Sequence, residues 1–130
     1  MTRRMLPFLA AAGIVLAIGM AQAQPAPVPV PGPNWLPRTT ADLVVLDKMR
    51  AQPTPLTVNV GQSATFGPLT IALRSCLVRP PDVPGDSAAF LDVTDGRDPN
   101  AGFHGWMIAG APSLSQMEHP LYDVRLSACR

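Results

Sequence analysis

The 130-residue chain predicts an all-β fold, a compact sandwich or barrel of about six to eight short antiparallel strands with one short helical turn. Three observations carry this. Short runs that alternate apolar and polar residues are separated by glycine, proline and Asp-Gly turn signals. No long amphipathic helix pattern competes with them. Two cysteines, Cys76 and Cys129, sit in a chain that opens with an export signal, so a disulfide is available to a core of marginal size.

The first element is the address. Arg3 and Arg4 precede an uncharged apolar run over residues 6–20, and Ala21-Gln22-Ala23 follows as a small-x-small cleavage site. This is the layout of a secretory signal peptide over residues 1–23, and the run is short for a membrane span. An uncleaved anchor is the alternative reading. Cleavage after Ala23 removes Arg3 and Arg4 and no acidic residue, leaving eight of ten basic residues against nine acidic ones, so the net charge moves from +1 to −1. A near-neutral domain offers no electrostatic case for nucleic acid or an anionic membrane surface.

Residues 24–37, QPAPVPVPGPNWLP, carry proline at nearly alternate positions. Proline blocks helix and sheet ladders and favours extended polyproline II, so the stretch reads as a tether. Trp35 near its end is expected to dock on the domain that follows, residues 38–130.

Within that domain Leu43-Val44-Val45-Leu46 is a short apolar strand, and Leu56-Thr57-Val58-Asn59-Val60-Gly61 alternates and ends on glycine. Ala64-Thr65-Phe66 leads into a Gly67-Pro68 turn. Residues 69–79 form the longest strand. A strict period of two puts Leu69, Ile71, Leu73 and Leu77 on one face, and Thr70, Ala72, Arg74, Cys76 and Val78 on the other. Pro80-Pro81 ends it. Residues 88–94 are the next strand, with Ala89, Leu91 and Val93 on one face, followed by an Asp95-Gly96 turn. Residues 102–109 and 122–128 complete the set. Between them residues 111–118 read as one or two helical turns that Ser113 is placed to cap.

In an oxidising compartment Cys76–Cys129 is the expected disulfide. The alternation places both cysteines opposite the more apolar residues, Cys76 beside Arg74 and Cys129 beside Asp123 and Arg125. No C-x-x-C motif and no third soft ligand favours a redox or metal role.

Candidate chemistry is sparse. There is no G-x-S-x-G elbow, phosphate loop, H-E-x-x-H or calcium loop. Asp92, Asp95 and Asp98 read as turn formers and solvated charge. Glu118-His119-Pro120 is the sharpest local feature. A histidine between a carboxylate and Asp123 has the groups of a general base or weak metal site. The structural reading is favoured: Pro120 holds His119 out of helical geometry, and His119 or Glu118 bonds backbone groups left open at that junction. Gly105-Trp106-Met107 reads as core packing first and as a binding surface second, with His104, Trp106 and Ile108 on one face and Met107 on the other.

Taken together, Leu46-Asp47-Lys48-Met49, Phe66-Gly67, Cys76 with Arg79-Pro80-Pro81, Ala89-Phe90-Leu91, Gly105-Trp106-Met107, and the run from Pro112-Ser113-Leu114 through Glu118-His119-Pro120-Leu121-Tyr122-Asp123-Val124 to Cys129 form an ordered pattern. It resembles the alphaproteobacterial family known as domain of unknown function 2155, from Leu46 onward. The resemblance implies an exported single-domain bacterial protein with two paired cysteines. It implies no activity, so no catalytic role comes with it. Arg125 departs from the aromatic residue such proteins are expected to carry there.

The expectation is therefore a non-enzymatic periplasmic envelope domain that binds or supports a protein partner or envelope complex. The candidate binding residues are Trp106, Met107, Glu118, His119, Tyr122 and Asp123; no catalytic residue, metal or cofactor is expected. The partner would be an envelope protein, with membrane association only through a retained signal segment or that partner. Two alternatives stand. One is a small-ligand or lipid-binding domain whose cavity is lined by Phe103, Trp106 and Met107. The other is a hydrolase or metal enzyme built from His104, Glu118, His119 and Asp123.

Overall fold

The structure, a computed structural model, describes residues 30–130. The signal peptide, its cleavage site and most of the proline-rich stretch lie outside the described residues.

Among the described residues eight strands are formed: β1 (Leu36–Pro37), β2 (Thr40–Asp47), β3 (Gln52–Asn59), β4 (Ser63–Phe66), β5 (Leu69–Val78), β6 (Ser87–Asp95), β7 (Phe103–Ile108) and β8 (Tyr122–Cys129). All pairings are antiparallel. One sheet runs β1–β5–β6–β7, with β4 on the same side of β5 as β1; the other runs β3–β2–β8. The two sheets stack and do not close into a barrel, so the fold is a sandwich.

The turns fall at their sequence signals. Gly67 takes φ 55° in the two-residue β4–β5 turn, a left-handed conformation that only glycine adopts without steric cost. Strand β3 begins at Gln52, four residues earlier than the alternation indicates, and runs through Pro53 and Pro55. It is an edge strand, and at an edge a missing N–H leaves no ladder partner unpaired.

The core lies between the sheets. Leu43 and Val45 of β2, Ile71 and Leu73 of β5, Leu91 and Val93 of β6, and Val124 of β8 are fully covered. Burying such a side chain contributes about 1.5–3 kcal/mol. Met107 and Met117 fill the same interior.

Both cysteines belong to this core, with Cys76 1% and Cys129 8% exposed. The period-two reading placed them on the outer faces, and two β-bulges correct it. Leu73 pairs with Leu91 and Ser75 with Phe90, so Arg74 is an extra residue. Leu43 pairs with Leu126 and Asp42 with Ala128, so Ser127 is another. Each bulge reverses the side-chain phase beyond it. Cys76 is thereby turned inward from β5 and Cys129 inward from β8, and they form a disulfide across the two sheets with Cα atoms 5.7 Å apart.

The helical segment is also shorter than expected. It is one 3-10 turn, Pro112–Leu114, preceded by Ala111 without a side-chain cap. Ser113 lies inside the turn and caps nothing.

Candidate functional site

Two features stand out once the strands are in place: a buried clasp at one end of the sandwich, and an apolar outer face on the larger sheet.

His119 makes the clasp. Its side chain is 2% exposed. Nδ1 accepts the backbone N–H groups of Leu121 and Tyr122 at 3.0 and 3.1 Å. Nε2 must then carry the ring hydrogen, and it donates to Asp95 Oδ2 at 2.8 Å. The His119 carbonyl accepts Lys48 Nζ at 2.7 Å, and the Lys48 N–H donates to the Leu121 carbonyl. Tyr122 packs its ring against His119 and edge-on against Phe66. A Cβ at Gly67 would stand 3.2 Å from the Tyr122 hydroxyl. Segments around Lys48, Phe66-Gly67, Asp95 and Glu118-His119-Pro120-Leu121-Tyr122 thus meet at one place. Asp95 was readable only as a turn former. It does accept the Arg97 N–H at 2.7 Å, yet it also shares the inward parity of Ala89, Leu91 and Val93, and that parity was the available signal for a buried partner.

The clasp uses every polar position of His119 to pin the β7–β8 connection to β2 and β6. A ring with both nitrogens occupied and no exposure is a structural element, in line with the reading favoured from Pro120. His104 is engaged elsewhere. Its Nδ1 donates to Asp92 Oδ1 at 2.8 Å, on the solvent side of β6. The two histidines therefore sit on opposite faces of the sheet with separate carboxylates. Glu118 is exposed, and Asp123 pairs with Arg125 along β8 at 2.8 Å. The four residues of the hydrolase or metal alternative are not brought together.

The six candidate binding residues do not form one surface either. Met107 and His119 are buried and unavailable to a partner. Tyr122 is packed in the clasp, while Glu118 and Asp123 lie outside it. The cavity of the ligand-binding alternative is filled: Met107 and Phe103 pack in the core, and the void beside Met107 measures about 10 Å³, at most one water molecule.

Trp106 remains on the outer face of the five-stranded sheet. Register aligns Leu77, Ala88 and Ile108 in one row, and Ser75, Phe90 and Trp106 in the next. Phe90 and Trp106 stack edge to face with centroids 5.4 Å apart. Ala88, between Leu77 and Ile108 in its row, is fully covered. The Arg74 bulge places Leu77 on this face. A polar border follows, with Asp92 receiving His104 Nδ1 and Arg74 Nε, the latter at 2.6 Å. Because a carboxylate only accepts, His104 Nδ1 carries the hydrogen of that bond.

Three carboxyls are held below their ordinary value of 3.8: Asp42 by the Arg130 guanidinium, Asp92 by His104 and then Arg74, and Asp95 by the Arg97 N–H and then His119. A carboxyl with a lowered folded pKa contributes stability that is fully present above its unfolded value. That stability is lost as pH falls through the folded value. Urea midpoints are therefore expected to fall steeply below about pH 4. Asp95→Asn should be less stable at neutral pH and show a shallower acid limb; an acid limb identical to that of the parent would remove Asp95 from this account.

A family model described as an uncharacterized protein conserved in bacteria (DUF2155) matches residues 41–129. An uncharacterized protein of Rickettsia prowazekii (strain Madrid E) is 28% identical over 94 residues, which cover 70% of this chain and 61% of the relative. The chain thus spans about three fifths of the relative's length. No solved structure matches it.

Proposed function

The chain belongs to the bacterial DUF2155 family, and from that premise we propose that it is a non-enzymatic domain of the periplasmic envelope that binds a protein partner through the outer face around Phe90 and Trp106. The observation that carries this reading is that face: four half-buried apolar side chains, Leu77, Phe90, Trp106 and Ile108, lie on the side of the sheet away from the core. Clustered aromatics with a charged border are the composition of interface centres. Export is supported by the inter-sheet disulfide, which an oxidising compartment maintains. Among the described residues no helix is long and apolar enough to cross a membrane.

The test is in-cell crosslinking of a tagged protein, followed by recovery of what it holds. The tag needs a flexible spacer, because the Arg130 side chain pairs with Asp42 and its backbone with Thr40. Trp106→Ala is expected to reduce recovery of the partner at least about tenfold, as for an interface centre contributing about 1.4 kcal/mol or more, while the protein stays folded with a melting temperature lowered by the lost stacking on Phe90. Arg125→Ala, on the opposite sheet, should recover the partner fully. Undiminished recovery by the folded Trp106 variant would overturn the assignment of this face.

A further inference from the structure

Arg79 stands between two clefts at the end of the sandwich opposite the clasp. One, of about 500 Å³, is bounded by Arg79, Asp86, Ser87, Gly110 and Ser127 among others. The second, of about 400 Å³, lies on the other side of Arg79 against Pro33, Trp35, Pro80, Val83 and Pro84.

Asp86 is fixed from behind. Its Oδ1 accepts the N–H groups of Ser87 and Gly110, both at 2.8 Å. The approach is close: a Cβ at Gly110 would fall 2.8 Å from Oδ2 and displace the carboxylate. Oδ2 is left facing Arg79 Nη2 at 3.9 Å, well beyond the 2.7–2.9 Å or so of a charge-assisted hydrogen bond. Arg79 does not close that gap because it has anchors of its own. Its guanidinium lies 5.5 Å over the Trp35 ring, and Nη1 reaches the Pro84 carbonyl at 3.5 Å. The two opposite charges thus form a long ion pair without a direct hydrogen bond between them, each having other contacts of its own. Ser87, whose hydroxyl accepts the Cys129 N–H at 3.0 Å, is a buried residue lining the first cleft.

We propose that this is a binding site for a free apolar α-amino acid. The ligand carboxylate takes the guanidinium donors of Arg79, its ammonium takes Asp86 Oδ2, and its side chain enters the cleft of Pro33, Trp35, Val83 and Pro84. A ligand carrying both charges on neighbouring atoms completes a pair that the protein holds apart. A single anion would meet Asp86, and a single cation would meet Arg79, at the same distance. The apolar neighbour, with aromatic and proline walls, selects the side chain. This site is separate from the outer face and does not depend on the partner reading.

The probes are leucine, N-acetyl-leucine and leucinamide. Each is titrated to about 10 mM, past the 1 mM range of weak small-ligand binding, into the isotopically labelled, oxidised protein with its proline-rich segment in place. Leucine is expected to shift the amide signals of Ser87 and Gly110 and the indole signal of Trp35. N-acetyl-leucine lacks the ammonium and leucinamide the carboxylate, and each should bind about tenfold or more weakly, the loss of one charged hydrogen bond. Asp86→Asn, which keeps the Oδ1 acceptor, and Arg79→Gln should weaken leucine by a similar factor while leaving the remaining amide spectrum in place. Absence of localised shifts with leucine overturns the proposal. So does equal binding of the three probes, or leucine affinity unchanged in both variants.

Discussion

Replacing Cys129 with serine is expected to lower the melting temperature by on the order of 20 °C. The bridge closes a separation of 53 residues, for which the loop-entropy estimate is about 4 kcal/mol. A domain of this size shifts by roughly 4–8 °C per kcal/mol, and its whole stability is of the order of 5–15 kcal/mol. The substitution also places a hydroxyl at a buried position between the sheets, beside the Cys129 N–H to Ser87 bond. Cys76→Ala/Cys129→Ala separates the two contributions, because it removes the bridge without burying a new polar group. Thermal unfolding of all three proteins, with and without reductant, is the measurement. The parent under reductant should approach the double variant. A parent whose melting temperature is indifferent to reductant, in a sample shown to be reduced, would mean that packing alone holds the sheets together.

His119→Ala is expected to cost about 3 kcal/mol, roughly 15 °C in melting temperature. Two part-buried N–H groups, of Leu121 and Tyr122, lose their acceptor at about 1 kcal/mol each, and a buried ring leaves the packing. His119→Asn distinguishes the backbone role from the rest. An asparagine carbonyl at Oδ1 occupies about the position of Nδ1 and is well suited to backbone N–H groups two and three residues on. That variant should recover roughly half of the loss, while the link to Asp95 stays broken. If alanine and asparagine at this position are equally destabilising, the backbone bonds are not what His119 contributes. If alanine is harmless, the clasp is not a stabilising element at all.

Much of this architecture was legible in the residues. Turn positions followed from Gly67-Pro68, Pro80-Pro81 and Asp95-Gly96, because those residues set φ or remove a donor wherever they stand. The Cys76–Cys129 pairing followed from there being only two cysteines in the chain. Pro120 marked His119 as a junction residue, because the restriction it imposes is local. The inward parity of Ala89, Leu91 and Val93 also held along β6.

The tertiary structure decided what no single segment contains. A bulge is one residue in excess of a partner strand, so Arg74 and Ser127 carry no local sign of it; yet these two residues turn both cysteines into the core and Leu77 out of it. His119 and Asp95 are 24 residues apart, and their contact depends on how β8 is laid beside β2 and across β6. Trp106 and Met107 are adjacent and both apolar, so hydrophobicity could not tell which would be buried. The stacking of the sheets decided it, because only one face of β7 meets the other sheet. Sequence determines local geometry through sterics and solvent preference; pairing and packing determine which side of each strand the solvent sees.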